Sequence, residues 1–152
     1  MLAALASVRQ VSSADEIAGE MLEAHNGARA AVGVPPLTWS HQLEAVAKEW
    51  ADSLAASGAF RHRPNPDYGE NLCDVRGGTA TPAQVVGEWT AEAKDYDPAK
   101  NTCRGGAVCG HYTQVVWRKT TQVGCAAAVA ERRQVWVCNY DPPGNWARER
   151  PY

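Results

Sequence analysis

Apolar residues recur every three or four positions in two segments near the N-terminus, a spacing typical of amphipathic helices. The first segment starts at a capping box formed by Ser13 and Glu16 and stops at Gly33. The second segment starts at Ser40 and stops at Gly58. The apolar faces consist of Ile17, Met21, Ala24 and Ala28 in the first segment and of Leu43, Val46, Ala47, Trp50 and Leu54 in the second. We therefore predict two helices before Gly58.

A third helix is predicted from the Thr81-Pro82 pair onward, because proline at the first helical position gives up only an N–H that would otherwise lack a partner. Gln84 completes the cap, and the apolar face consists of Val85, Val86, Trp89 and Ala93. Segment 61–78, between the second and third helices, is rich in chain breakers and poor in apolar residues. We predict a long loop there.

Three runs rich in strand-forming residues follow the helices, at 113–117, 122–129 and 134–140. The connections 118–121 and 130–133 are short enough for antiparallel hairpins. Helices followed by a three-stranded meander indicate the α+β class, in which helices cover the sheet.

Length and charge narrow the classes of function. A chain of 152 residues suits one domain with one core, which we place at 13–152. The net charge is −2 and no long run of one sign occurs, so nothing indicates a nucleic-acid partner. No apolar run approaches the roughly 18 residues that a membrane span requires. We therefore expect a monomer without a membrane span.

Residues 1–6 are apolar and end in Ala4-Leu5-Ala6, the small-x-small pattern that signal peptidase recognises. The segment is short and lacks a basic start. We interpret residues 1–12 as a tail that holds the remnant of a signal peptide, which would imply secretion. The alternative is a frayed terminus without a role.

Five cysteines in a short chain with an apolar N-terminus favour an oxidising compartment. A bridge between Cys103 and Cys109 would close the glycine-rich loop between them. Cys125 and Cys138 lie in two predicted strands joined by a short turn, so a cross-strand bridge is plausible. Cys73 is left over, either free or paired with another molecule. The alternative is a zinc site built from cysteines, although the chain has no C-x-x-C pair.

Two long motifs, GHYTQVVW at 110–117 and CNYDPPGNW at 138–146, indicate a family. Shorter matches are AHNGARA at 24–30, YGENL at 68–72 and the W-x-x-E step at 89–92. On these residues the chain resembles the CAP superfamily of cysteine-rich secretory, antigen 5 and pathogenesis-related proteins, and in particular the plant class-one pathogenesis-related proteins. The resemblance runs from about residue 15 to the C-terminus. It implies a three-layer α-β-α sandwich with an antiparallel central sheet.

The resemblance also implies a central cavity lined by His62, Glu70, Glu92 and His111. Helical spacing places Glu92, unlike Glu88, near the apolar face of the third helix, where a carboxylate needs a partner. Imidazole and carboxylate are suitable ligands for a divalent metal such as zinc, although no cofactor is required. The alternative is a hydrogen-bonded cluster that holds no metal.

Two features depart from the family pattern. The plant relatives usually have six cysteines in three bridges, whereas here Ala59-Phe60 and the strand position near Ala130 lack cysteine. One bridge is therefore deleted, and the two local bridges remain matched. Cys73 has no counterpart in the pattern.

As for function, the resemblance implies a secreted, extracellular protein of plant defence, in the apoplast, that binds a sterol or fatty acid and acts against fungi. We predict that it is not an enzyme, because the sequence has no HExxH and no serine or cysteine in a nucleophile-elbow context. The alternative is a metal-dependent hydrolase or protease that uses the His/Glu cluster to activate water.

Plant relatives with the same C-terminal ending are thought to release a peptide that elicits defence. By this resemblance we expect cleavage between Asp141 and Pro142, and a receptor for segment 142–152. Prolines cannot continue a strand ladder, and residues 147–151 are too polar to pack deeply, so we expect an extended, solvated bond at this point. The alternative is a tail that Trp146 anchors against the sheet.

Overall fold

A computed structural model describes residues 13–152, and the predicted signal-peptide remnant in residues 1–12 lies outside the described residues. The helices are α1 Ala14–Ala31, α2 His41–Ser57, α3 Pro82–Thr90 and α4 Gly110–Val115, with a 3₁₀ helix Ala91–Asp95 directly after α3. The strands are β1 Thr38–Trp39, β2 Gly69–Arg76, β3 Tyr96–Asp97, β4 Thr102–Cys103, β5 Gln122–Ala130 and β6 Arg133–Asp141. None of the helices within 13–152 is long and apolar enough to cross a membrane.

The helices α1 and α2 begin at the predicted caps. Ser13 Oγ accepts a hydrogen bond from Glu16 N at 3.2 Å, and the Glu16 carboxylate accepts one from Ser13 N at 2.9 Å. At α2 the Ser40 Oγ accepts a hydrogen bond from Leu43 N at 3.2 Å, and Gly58 ends the helix in the left-handed conformation, with φ of 70°. The capping residues thus fix both helices within about two residues of the prediction.

The helix α3 is shorter than predicted. Thr81 and Gln84 form the expected capping box. After the helix ends, the chain continues as the 3₁₀ helix, in which Ala93 is exposed. The buried face therefore ends at Trp89, and the predicted contribution of Ala93 is wrong.

The main sheet has the strand order β1-β5-β6-β2. The central strand β6 pairs antiparallel with β5 over nine residues and with β2 over eight. The short β1 runs parallel to β5 and adds two residues to the edge. A second sheet consists of β3 and β4.

Side chains of β6 alternate between the two faces of the sheet. Val135 and Val137 pack with α2, whereas Trp136, Cys138 and Tyr140 pack with α1, α3 and α4. Helices therefore cover both faces, which confirms the predicted α-β-α sandwich.

Two element predictions are wrong. The segment 113–117, predicted as a strand, belongs to α4 and the turn after it; Tyr112, Val115 and Val116 are buried at helical spacing. A short apolar run does not distinguish a helix from a strand by itself. The third long strand is instead β2, inside the predicted loop 61–78, because pairing with β6 overrides the low strand propensity of residues such as Asp74.

Four cysteines form two disulfides, Cys103–Cys109 and Cys125–Cys138. The second pair occupies one register position of β5 and β6. Cys73 is the free cysteine of the described chain and is half-buried. Burial raises the pKa of its thiol, and the nearby carboxylates of Glu88 and Asp74 act in the same direction. This thiol is therefore a weak nucleophile at neutral pH.

A fully buried guanidinium, that of Arg29 in α1, joins several segments. It donates hydrogen bonds of 2.7–3.0 Å to the main-chain oxygens of Pro35, Val115, Trp117 and Thr120. Burial lowers its pKa to about 10, which still leaves the group charged at neutral pH.

A second buried polar network starts at His25, also in α1. Its Nδ1–H donates to Met21 O at 2.7 Å, and its Nε2 accepts from the Tyr140 hydroxyl at 2.8 Å. Asn71 Nδ2 donates both to that hydroxyl and to His111 O, at 3.2 and 3.1 Å. The network thus links the core of α1 to the main chain of α4.

We predict that His25 makes the protein less stable in acid. Burial, with a smaller contribution from the charge on Arg29, lowers its pKa from 6.5 to about 4. The unfolded chain therefore binds more protons than the folded chain between these values, and stability is lost as pH falls from 6.5 towards 4. At 1.36 kcal/mol per pKa unit, the loss is about 3 kcal/mol.

Urea unfolding of the wild type and of His25→Gln at pH 7 and pH 4 measures how much His25 contributes to the pH dependence of stability, because glutamine does not titrate. The free energy of unfolding of His25→Gln is expected to change less between the two pH values, by about the same 3 kcal/mol. The exposed His41→Gln is the matched control and should behave as the wild type. Equal pH dependence in wild type and His25→Gln would contradict the prediction.

Candidate functional site

Glu70, at the start of β2, and His62, in the loop after α2, form the first of two imidazole–carboxylate pairs. The His62 Nδ1 to Glu70 Oε1 distance is 2.7 Å, and Arg63 N donates to the same oxygen at 3.1 Å. The Glu70 side chain is only 4% exposed, whereas that of His62 is 65% exposed. Within residues 13–152, the other oxygen, Glu70 Oε2, is buried without a hydrogen-bond partner. The His62 imidazole is therefore accessible to a ligand, and Glu70 Oε2 can still accept a hydrogen bond.

His111 in α4 and Glu92 in the 3₁₀ helix form the second pair. His111 Nδ1 lies 2.6 Å from Glu92 Oε1, and Tyr112 N donates to Glu92 Oε2 at 3.0 Å. The imidazole stacks on Trp89, with ring centroids 6.2 Å apart and an angle of 9° between the planes. Glu92 thus has the partners that a carboxylate near an apolar face requires.

The two pairs are neighbours in the fold, because Asn71, next to Glu70 in β2, donates to the main chain of His111. They nevertheless remain pairs. Among the described residues, no three His, Cys, Asp or Glu side chains are close enough together to hold one metal ion.

The chemistry of both pairs is the same. Each imidazole uses Nδ1 to donate to a carboxylate, which leaves the lone pair of Nε2 for a ligand. A carboxylate that orients a histidine in this way is the usual outer partner of a metal-bound imidazole. Each pair therefore presents one imidazole nitrogen of the kind that binds a divalent cation, with Glu70 orienting His62 and Glu92 orienting His111.

An apolar groove between α1 and α3 has a volume of about 450 Å³. Small side chains form much of its wall. They include Ala24, Gly27, Ala28, Ala31, Ala83 and Gly87. The groove could not be predicted from the sequence, because small apolar residues also occur on ordinary exposed helix faces.

The expected cleavage point lies at the end of β6 and is less solvated than predicted. Asp141 is half-buried, and its main-chain oxygen accepts from Thr121 N at 3.0 Å. Pro142 is exposed, but its oxygen accepts from Thr120 Oγ1 at 2.8 Å. The folded main chain therefore occupies the carbonyl groups on both sides of the bond.

The expectation that residues 147–151 pack only superficially is wrong at its end, because Pro151 is buried. The alternative of an anchor at Trp146 is also wrong. That side chain is 57% exposed, and its Nε1 donates within the tail, to Pro143 O.

Three buried residues that organise the site were missed by the sequence analysis: Arg29, Asn71 and Tyr140. Each lies inside a motif that identified the family, at 24–30, 68–72 and 138–146. The available signal was the presence of polar residues inside these family motifs, since a buried polar group needs specific partners.

Comparison with known proteins identifies the family of the chain. The model of the CAP family, described as the Cysteine-rich secretory protein family, matches residues 22–140. A "Pathogenesis-related protein PR-1 type" of Sambucus nigra is 44% identical over 144 residues, 94% of this chain and 86% of that protein. "Pathogenesis-related protein 1A" of Nicotiana tabacum is 49% identical over 134 residues, 88% and 79% of the two chains. Neither name is that of an enzyme.

Solved structures agree in fold. The venom allergen-like protein 4 of Schistosoma mansoni superposes with a TM-score of 0.71 at 27% identity, over 90% of this chain and 94% of that one. The crystal structure of NaASP2 with Zn²⁺ gives a TM-score of 0.71 at 25% identity, over 90% and 85%. Sequence and fold therefore agree that the chain belongs to the CAP family and is similar to the plant pathogenesis-related PR-1 proteins.

Proposed function

We propose that this chain is a secreted pathogenesis-related defence protein of the plant extracellular space that binds a sterol or fatty acid. The apolar groove between α1 and α3 is the observation that carries the proposal. The names of the relatives support a role in defence. Two disulfides support an oxidising compartment outside the cytosol.

The size and the lining of the groove support a small apolar ligand. Its volume of about 450 Å³ falls in the range of roughly 300–1,000 Å³ usual for small-molecule sites. Its walls are mainly apolar, and the glycines and alanines add little bulk to them. Burial of the ligand's apolar surface would provide the affinity.

We predict that leucine at Gly27 or Gly87 fills the groove and weakens binding of a fluorescent sterol or fatty acid by at least about tenfold. Apart from the adjoining backbone of its own helix, an added Cβ at either glycine has no described atom within 4 Å, so the larger side chain has room. Leucine also favours a helix over glycine by roughly 0.8–1 kcal/mol. Melting temperatures should therefore stay equal or rise, which separates lost binding from unfolding.

The matched control is Gly19→Leu, also in α1 and equally open, but outside the groove. It should bind like the wild type. Unchanged affinity in both groove variants would exclude this groove as the site. Absence of competable binding to the wild type at micromolar concentration would remove lipid binding altogether.

We also propose that His62 and His111 hold a divalent cation such as zinc. Zinc in a protein takes four ligands, commonly including imidazole nitrogens, and these residues can supply two of them. The crystal structure of the similar NaASP2 with Zn²⁺ supports the proposal. A bound cation would act as a Lewis acid. Glu70 and Glu92 would fix the ring orientation that presents Nε2.

Calorimetric titration with Zn²⁺ is expected to give weaker binding at pH 5 than at pH 7.5, because a protonated imidazole has no lone pair to offer. His111→Ala should abolish most of the binding. Glu92→Gln should weaken it by about 10- to 100-fold through loss of the orienting carboxylate. The exposed His41→Ala is the control. Equal affinity at both pH values, or in His111→Ala, would rule out these ligands.

The third proposal concerns segment 142–152, which we propose is released by an extracellular protease and acts on a receptor. The hydrogen bonds of Asp141 O and Pro142 O require local opening before a protease can reach the bond. Cleavage would leave the main sheet intact, since the Cys125–Cys138 disulfide lies before the cut.

Incubation of the folded protein with plant extracellular fluid, followed by mass spectrometry, tests this release. Thr120→Val removes the hydroxyl bonded to Pro142 O and is expected to speed cleavage about five- to tenfold, as loss of one hydrogen bond of roughly 1 kcal/mol predicts. The exposed Thr79→Val is the control. An intact C-terminus after prolonged exposure, or inactivity of the synthetic eleven-residue peptide in an immune-response assay, would refute the proposal.

A further inference from the structure

The C-terminal segment 142–152 lies along the domain and is bound near its beginning by α4. Asn145 Nδ2 donates to Gly110 O at 2.8 Å, and Asn145 Oδ1 accepts from Thr113 Oγ1 at 2.7 Å. One amide side chain therefore uses its donor and its acceptor on the same helix. Asn145 has φ of 59°, a conformation that asparagine tolerates better than most residues.

The neighbouring residue, Gly144, has no room for a side chain. Its N–H donates to Gln114 Oε1 at 3.0 Å. A Cβ added there would lie 2.7 Å from Trp117 Cγ and 2.8 Å from Gln114 Nε2. The Gly-Asn step is therefore recognised both by shape and by hydrogen bonds.

The far end of the segment is held independently. Arg118 N donates to Pro151 O at 2.8 Å, and Pro151 is buried. The Tyr152 hydroxyl shares a hydrogen bond of 3.0 Å with that of Tyr112. Its ring packs against Tyr96 and Tyr112, with centroid distances of 6.1 and 6.5 Å. The Tyr152 ring thus lies in an aromatic cluster with Tyr96 and Tyr112.

Between the two ends, charged side chains add contacts. Arg150 donates to the main-chain oxygens of Pro98 and Ala99, at 2.6 and 3.3 Å. Lys119 and Glu149 form an ion pair at 2.8 Å. These groups are exposed, so they add less than the buried end.

None of these contacts uses the Asp141–Pro142 bond. Hydrolysis would add water across it, leave a carboxylate on Asp141 and a secondary amine on Pro142, and keep every contact described above.

We propose that the surface that holds the segment, here called the tail site, is a peptide-binding site whose ligand is residues 142–152 even after cleavage. Cleavage itself rests on the proposed function. Dissociation from the tail site is then a separate step that controls release.

The contacts define the class of ligand. A peptide for this site needs Gly-Asn near its N-terminus and Pro-Tyr at its end, since these four residues make the close contacts. Trp146 is largely exposed and contributes little to recognition.

A synthetic peptide of residues 142–152 with an N-terminal fluorophore is the probe. The receptor is the full chain carrying Gly144→Val and Tyr152→Ala, which disrupt the chain's own docking and vacate the tail site. Fluorescence anisotropy should show saturable binding to this variant and little binding to the wild type, whose own tail occupies the site. Absence of saturable binding to a folded receptor variant overturns the proposal.

Two altered peptides test the specificity, each lacking one aromatic ring. The peptide with Tyr152→Ala should bind roughly 30-fold more weakly, as expected for loss of an anchor residue. The peptide with Trp146→Ala should bind within about twofold of the unaltered one. Equal loss in both would mean non-specific adhesion and would overturn the proposal.

Should the receptor variant not fold, hydrogen exchange on the full chain gives an independent answer. Tyr152→Ala should accelerate exchange of the Arg118 amide at least about tenfold and leave the Ser40 amide, bonded to Val123 O at 2.9 Å, unchanged. An unchanged Arg118 amide overturns the proposal.

These outcomes are separable from those of the release experiment. A chain that is never cleaved in extracellular fluid, but whose receptor variant binds the peptide, refutes release and supports the tail site. A cleaved chain whose receptor variant does not bind refutes the tail site alone.

Discussion

Arg29 brings a positive charge into the interior without an ion pair to any carboxylate of residues 13–152, and its hydrogen-bond partners are main-chain oxygens. Two of them, Val115 O and Trp117 O, belong to the C-terminal end of α4 and the turn after it, where the helix dipole is negative. A helix of six residues is too short to be stable alone. Arg29 also binds Pro35 O in the loop after α1 and Thr120 O in the loop after α4, so it joins the end of α4 to both loops. The position of His111 in α4 therefore depends on a group in α1.

Much of the fold could be predicted from the sequence because local chemistry determined it. The caps at Ser13, Ser40 and Thr81 act within one turn of the chain, and the structure has helices at all three. The strand β2 could not be predicted in this way. Its polar residues are stabilised by the ladder to β6, about 60 residues away, and no local pattern reports that pairing.

The candidate site was predictable only through resemblance, and only in part. The family pattern named the four His and Glu residues, but it could not show that they form two pairs. It also could not show how the end of α2 near Ala59 is joined to the sheet. There the buried Arg133 donates to Leu54 O and Ala59 O at 2.9 and 2.6 Å and pairs with Asp74 at 2.8 Å. A charged group with several donors thus joins the end of α2 to the sheet, independently of redox conditions.

The C-terminal segment 142–152 shows most clearly that local sequence patterns do not report long-range contacts. Composition made residues 147–151 look solvated, yet the tail is held by α4, by the turn after it and by the segment around β3, which no local pattern could associate with the C-terminus. The same short helix carries His111 towards Glu92, while Gly110 and Thr113 bind Asn145. Because six residues form a single rigid turn and a half, the imidazole pair and the C-terminal segment share one support. That support is in turn positioned by the buried charge of Arg29.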